Sequence, residues 1–178
     1  MSKPTPTGHR RDHADGTYCE WKRTFAAAID DVWSAVTEPE RLARWIGTWT
    51  GDPADGHVKF QMLFEGDDIP SEHFRIDECE RPHRLRITTS MPYDGENPEH
   101  WLLRLHLEEH EGITTLTFAQ NVPDLKMAEG VGPGWDYYLD RMVAAERGDD
   151  VKAIVFEDYS PAMTRYYVAE FTDTGAES

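Results

Sequence analysis

Two hydrophobic periods run along this chain, and the point where one gives way to the other divides it. Between about residues 29 and 46 apolar positions recur at helical spacing: Val32, Trp33 and Val36 make one stripe, and Leu42, Trp45 and Ile46 a second. The stretch "TEPERLARWIG", residues 37–47, has the marks of a second short helix. Thr37 is placed to cap it, Pro39 fits its first turn, Glu40 follows three positions after the cap, and Gly47 can take the left-handed stop. From about Asp55 the period drops to two, which predicts strands. Val58, Phe60, Met62 and Phe64 alternate with polar neighbours, Leu63 apart. Phe74 and Ile76 continue the pattern with Glu78 next on their face, followed by Leu85, Ile87 and Met91, then Trp101, Leu103, Leu105 and Leu107. Leu116, Phe118 and Gln120 make the last row.

Turn residues separate these runs at Pro82-His83, Asp94-Gly95 and Glu111-Gly112. Upstream, "GHRRDHADGTYCEWKRTF" reads as a strand, an Asp15-Gly16 turn and a longer strand with Cys19, Trp21 and Phe25 on one face. Residues 1–8, rich in Pro and Thr without periodicity, read as a disordered lead. A meander with one buried face needs a cover. "GPGWDYYLDRMVAAERG" supplies it as a long helix opened by Pro133 and closed by Gly148, with Trp135, Tyr138, Leu139, Met142 and Val143 on one side. The expected class is α+β.

The phrases "RTFAAAIDDVWSAVTEPERLARWIG", "IDECERPHRLRI", "TTLTFAQNVP" and "GWDYYLDRMVAAERG", in this order, resemble the START-like, Bet v 1-like (SRPBCC) superfamily. Within it they are similar to homologues of the activator of the heat-shock protein 90 ATPase. The resemblance covers about residues 17–148 and implies a helix-grip fold, in which a curved antiparallel sheet wraps the long helix around a hydrophobic cavity. The two short helices would close one end. A single domain then spans 9–148, and residues 149–178 form an extension. There Ser160-Pro161 looks like a helix start, with Met163, Tyr167 and Phe171 on one face. It packs on its own domain or on a second subunit as a homodimer contact.

The implied cavity assigns ligand-facing roles to the inward rows: Trp45, Phe60, Met62, Phe64, Phe74, Ile76, Leu85, Ile87, Trp101, Leu103, Phe118, Trp135, Leu139 and Met142. Periodicity alone does not separate a hollow from a filled core, so Trp45 is either wall or packing. Polar residues on apolar faces need partners. Glu78, Gln120 and Tyr138 are therefore candidates to fix a ligand's polar end, with Glu78 the one weak acid-base candidate. The alternative for Glu78 is pairing with Arg84 or Arg86.

Charge changes the picture by exclusion. With 34 acidic against 18 basic residues the net charge is −16, which opposes nucleic acid and anionic membrane surfaces. No apolar run is long enough to insert in a membrane and no signal peptide is legible, so the expected location is cytoplasmic. Cys19 and Cys79 lack metal-type spacing and read as free thiols. In "HLEEH" the strand period sets His106 and His110 about 13 Å apart, which does not make a zinc pair. "GVGPG", residues 130–134, lacks the Lys-Ser/Thr of a phosphate loop. His9, His13, His57, His73, His83 and His100 are scattered.

No metal or cofactor is expected. The first functional reading is a non-catalytic module binding a small hydrophobic or lipid-like molecule. An enzyme of the polyketide cyclase or dehydratase type, using the same cavity, is the second. A chaperone-related interaction module, suggested by the family's name, is the third.

Overall fold

A computed structural model describes residues 3–90 and 100–172. Met91 and the Asp94-Gly95 turn lie outside the described residues. Eight antiparallel strands form one sheet: β1 (His9–His13), β2 (Gly16–Phe25), β3 (Gly47–Thr50), β4 (His57–Met62), β5 (Glu72–Glu80), β6 (Arg84–Ser90), β7 (His100–His110) and β8 (Ile113–Asn121). Their order is β1-β2-β8-β7-β6-β5-β4-β3, so the meander runs from β3 to β8 and the first hairpin docks on its last strand. Helices α1 (Ile29–Thr37) and α2 (Pro39–Leu42) follow β2, and α3 (Ala128–Arg147) follows β8. The curved sheet and the long helix make the helix-grip fold.

The local chemistry differs from the sequence reading at three helix boundaries. Thr37 ends α1 instead of capping α2: its hydroxyl donates to the Trp33 carbonyl at 2.7 Å, one turn back. Glu38 occupies the N-cap of α2. Gly47 is no left-handed stop but the first residue of β3, a strand the alternation pattern does not reveal. A Cβ at this position would run into the Gln61 carbonyl and the Phe60 ring, so the glycine permits close strand approach. Pro133 lies inside α3, which begins a turn and a half earlier at Ala128. The proline has no N–H to donate to the Glu129 carbonyl. Tertiary packing compensates, because Gly132 is buried under the Tyr167 ring of α4 (Thr164–Glu170), leaving no room for a side chain. Gly148 ends α3 in the left-handed conformation with φ 77°, as expected of it.

The extension packs against α3 of its own chain, with Met163, Tyr167 and Phe171 buried. Its helix starts at Thr164, after a run of turns through Ser160-Pro161. The lead is also tied down at its end. Thr7 donates to Asp136 of α3 through its backbone and hydroxyl, and the Gly8 N–H donates to the Tyr167 hydroxyl at 2.9 Å. Among the described residues, no helix is long and apolar enough to cross a membrane.

Candidate functional site

The strand alternation points one face of the sheet at α3, but the gap between them is not filled. A cavity of about 1140 Å³ remains, walled by β4 to β8 on one side and α3 on the other. Its closed end is built by α1, α2 and β3. Arg41 of α2 bridges Asp31 of α1 at 3.1 Å and Glu146 of α3 at 2.5 Å, which holds the short helices against the long one. Trp45 is both packing and wall: it is buried, lines the cavity, and donates its indole N–H to the Ala35 carbonyl at 3.2 Å. Its own carbonyl accepts from Arg141 Nε at 3.0 Å. Trp49 beside it donates to the Thr37 carbonyl at 2.7 Å.

Aromatic rings supply much of the remaining wall. Phe60 and Phe74 stack with centroids 4.6 Å apart on β4 and β5, and Phe118 packs on Trp135 at 4.2 Å between β8 and α3. Met62, Phe64, Ile76, Leu85, Ile87, Trp101, Leu103, Tyr138 and Leu139 also face the cavity.

Three candidates do not. Met142 is fully buried one turn beyond Leu139, outside the lining. Gln120 is fully buried too, its carbonyl oxygen accepting from Trp135 Nε1 at 2.5 Å, so it holds the wall from behind. Glu78 fails for a different reason. The β5–β6 register shifts between Ile76 and Glu78, a bulge that reverses the facing of every later residue on the strand. Glu78 therefore sits outside near Arg86 (3.7 Å) and Arg84 (4.0 Å), and Cys79 takes its place on the lining.

Of the polar residues on the cavity wall, Tyr138 and Trp101 are sequence candidates, whereas Glu65, Glu72 and Thr89 are not. Tyr138 donates its hydroxyl to Glu65 Oε1 at 2.8 Å, and burial together with that carboxylate pushes its own ionisation up. Glu72, at the start of β5, is 9 % exposed and makes no hydrogen bond or ion pair among the described residues. Burial, and secondarily the charge of Glu65, raises its carboxyl to about 7. Thr89 and Trp101, opposite each other on β6 and β7, lie on the same wall, and the Thr89 hydroxyl and the Trp101 indole N–H are buried beneath its surface without a partner among the described residues. The signal for Glu72 was present in the sequence: it precedes Phe74 and Ile76 by the strand period of two, in the direction opposite to Glu78.

The two thiols differ as their settings require. Cys19 is fully buried on β2, and burial raises its thiol well above the ordinary range, whereas Cys79 is exposed at the cavity's edge. Titration of the native protein with an aromatic disulfide reagent is expected to release one thiol equivalent quickly and the second only on denaturation. Two fast equivalents would mean that β2 opens readily.

Among the described residues no group of three or more His, Cys, Asp or Glu side chains could hold a metal ion. The chain is similar to solved structures along nearly its whole length. CalU16 from Micromonospora echinospora aligns at 27 % identity over 93 % of this chain and 92 % of that one, with a TM-score of 0.64. DynU16, a protein in the dynemicin biosynthetic locus, aligns at 23 % over 75 % of this chain and 49 % of its own, TM-score 0.63, and EF2215 from Enterococcus faecalis at 17 % over 92 % and 89 %, TM-score 0.65. The latter two likenesses carry the fold alone. A search of curated proteins finds no match. Residues 26–146, which include both short helices, β3 to β8 and nearly all of α3, match the model of the Activator of Hsp90 ATPase homolog 1-like proteins, and the chain belongs to that family.

Proposed function

We propose that this protein binds a small, largely apolar molecule in the cavity between sheet and long helix, without catalysis as its main task. The observation that carries this reading is the cavity itself. At about 1140 Å³ it slightly exceeds the roughly 300–1,000 Å³ typical of pockets for drug-sized ligands, and its walls are aromatic and aliphatic with few polar groups. A void of this size sacrifices packing that a filled core would keep, and occupancy by an apolar ligand restores it.

The test is mass spectrometry of gently purified protein, native and after organic extraction, together with titration of 1-anilinonaphthalene-8-sulfonate. A stoichiometric adduct or saturable dye binding is expected. Ile87→Trp, which projects an indole from the middle of the β6 wall, should reduce either by about tenfold or more while the protein stays folded by circular dichroism. A clean mass with no saturable dye uptake would end the reading. The enzyme reading draws on one observation, the Glu72 carboxyl poised near neutrality, since a group titrating there suits proton transfer.

A further inference from the structure

One end of the cavity differs chemically from the rest, and the sheet register defines it. Glu72, Phe74 and Ile76 face inward from β5; Phe74 lies opposite Thr89 of β6, and Thr89 opposite Trp101 of β7. Directly paired residues have Cβ atoms about 5 Å apart and diagonal ones about 7–8 Å. Glu72, Thr89 and Trp101 thus lie on one stretch of the cavity wall. The Glu65 carboxyl, held by Tyr138 from α3, faces Glu72 across this end of the cavity.

The stretch is incomplete as it stands. Glu72 is 9 % exposed, and its carboxylate makes no hydrogen bond or ion pair among the described residues, although buried polar groups in native proteins are nearly always satisfied. Two carboxyls share this end, and neither makes an ion pair among the described residues. Arg141 of α3 is committed elsewhere: it donates to the Trp45 carbonyl and the Tyr137 hydroxyl and lies 4.1 Å over the Phe64 ring. The other titratable groups lining the cavity are the phenols Tyr137 and Tyr138 of α3, Glu38 ahead of α2, and Cys79 and Arg81 at the far end of β5. What is lacking among the described residues is a positive charge beside Glu72.

We propose that the ligand of this cavity is a lipophilic amine. Its protonated nitrogen is held by Glu72, with Glu65 as a further acceptor. The aromatic walls suit the same ligand, because ring faces attract cations. This inference rests on the ligand-binding reading above and adds the chemical class.

Matched probes test it by calorimetry below their self-association limits: decylamine, 2-amino-1-decanol, decanol and decanoate. The amine and the amino alcohol should each bind about tenfold better than the alcohol, and the carboxylate should bind weakest. Glu72→Gln should bring amine and alcohol within about threefold of each other, while Glu80→Gln, which removes the same charge from an exposed site, should keep the preference. Near pH 7 amine binding should release about half a proton, read from the buffer dependence of the heat, and alcohol binding none. Equal affinity for amine and alcohol, or a preference that survives Glu72→Gln, overturns the amine assignment and leaves the cavity reading intact. No binding of any probe overturns both.

Discussion

Replacing Asp136 with Ala is expected to cost about 3 kcal/mol of stability, the lower end of the range for breaking a buried ion pair, and to lower the melting midpoint by roughly 10 °C in a chain of this size. Asp136 is fully buried on α3 and gathers four elements. Its carboxylate accepts from the Thr7 hydroxyl at 2.5 Å, from Arg23 Nη2 of β2 at 3.1 Å and from the Tyr167 hydroxyl of α4. Tyr167 in turn accepts from the Gly8 N–H at 2.9 Å and Trp21 Nε1 at 3.1 Å. Arg23 keeps a second partner, Asp140 at 3.0 Å, which is why the cost falls at the lower end. Tyr167→Phe leaves Asp136 with its other donors but orphans the Gly8 and Trp21 N–H groups, so about 1–2 kcal/mol is expected. Urea unfolding of the three proteins checks the order. A loss under 1 kcal/mol for Asp136→Ala would show that the network is dispensable. It lies away from the cavity lining, so probe affinity in the folded variant should be unchanged.

The same network shows where sequence reading stops. Met163, Tyr167 and Phe171 are legible as one helical face, yet nothing in the spacing says that the Tyr167 hydroxyl closes a circuit with residues 7, 8, 21 and 136. Long-range polar pairing leaves no periodic trace. The inward rows fared better, because a strand buried on one face must alternate: Phe60, Phe74, Leu85, Ile87, Leu103 and Phe118 all point where period two puts them. Alternation fails at a bulge. Up to Ile76 the parity of β5 is correct, and beyond it the shifted register exchanges Glu78 for Cys79. A reading that counted backward from Phe74 would have met Glu72. β3 escaped for another reason: four residues, "GTWT", are too few for a period to register. α3 was cut short because a proline was read as a helix start, a local rule that the packing of Gly132 under Tyr167 overrides.

Glu72→Gln is expected to stabilise the protein, increasingly as pH rises from about 4.5 through about 7. The Glu72 carboxyl sits at about 7 in the folded chain against an ordinary 4.5, chiefly because burial penalises its charge and secondarily because Glu65 repels it. The folded protein therefore holds this proton across a range in which the unfolded chain has released it. The associated stability is fully present below about pH 4.5 and is lost as pH rises through about 7. At pH 8.5 the ionised group costs about 3 kcal/mol, the energy equivalent of that displacement, and the neutral amide removes the cost. Variant and wild type should thus unfold at nearly the same urea concentration at pH 4.5 and diverge as pH rises, with the variant the more stable. A difference independent of pH, or a variant less stable at pH 8.5, would show that Glu72 is already paired in the free protein. Because carboxyls remote from Glu72 are unaffected by the substitution, the difference isolates this end of the cavity. A buried carboxyl that weakens the fold at working pH, without a hydrogen bond among the described residues, has no structural reason to be there. Stability given up at one position of a cavity wall is what a binding group costs while its ligand is absent, and amine binding should recover it.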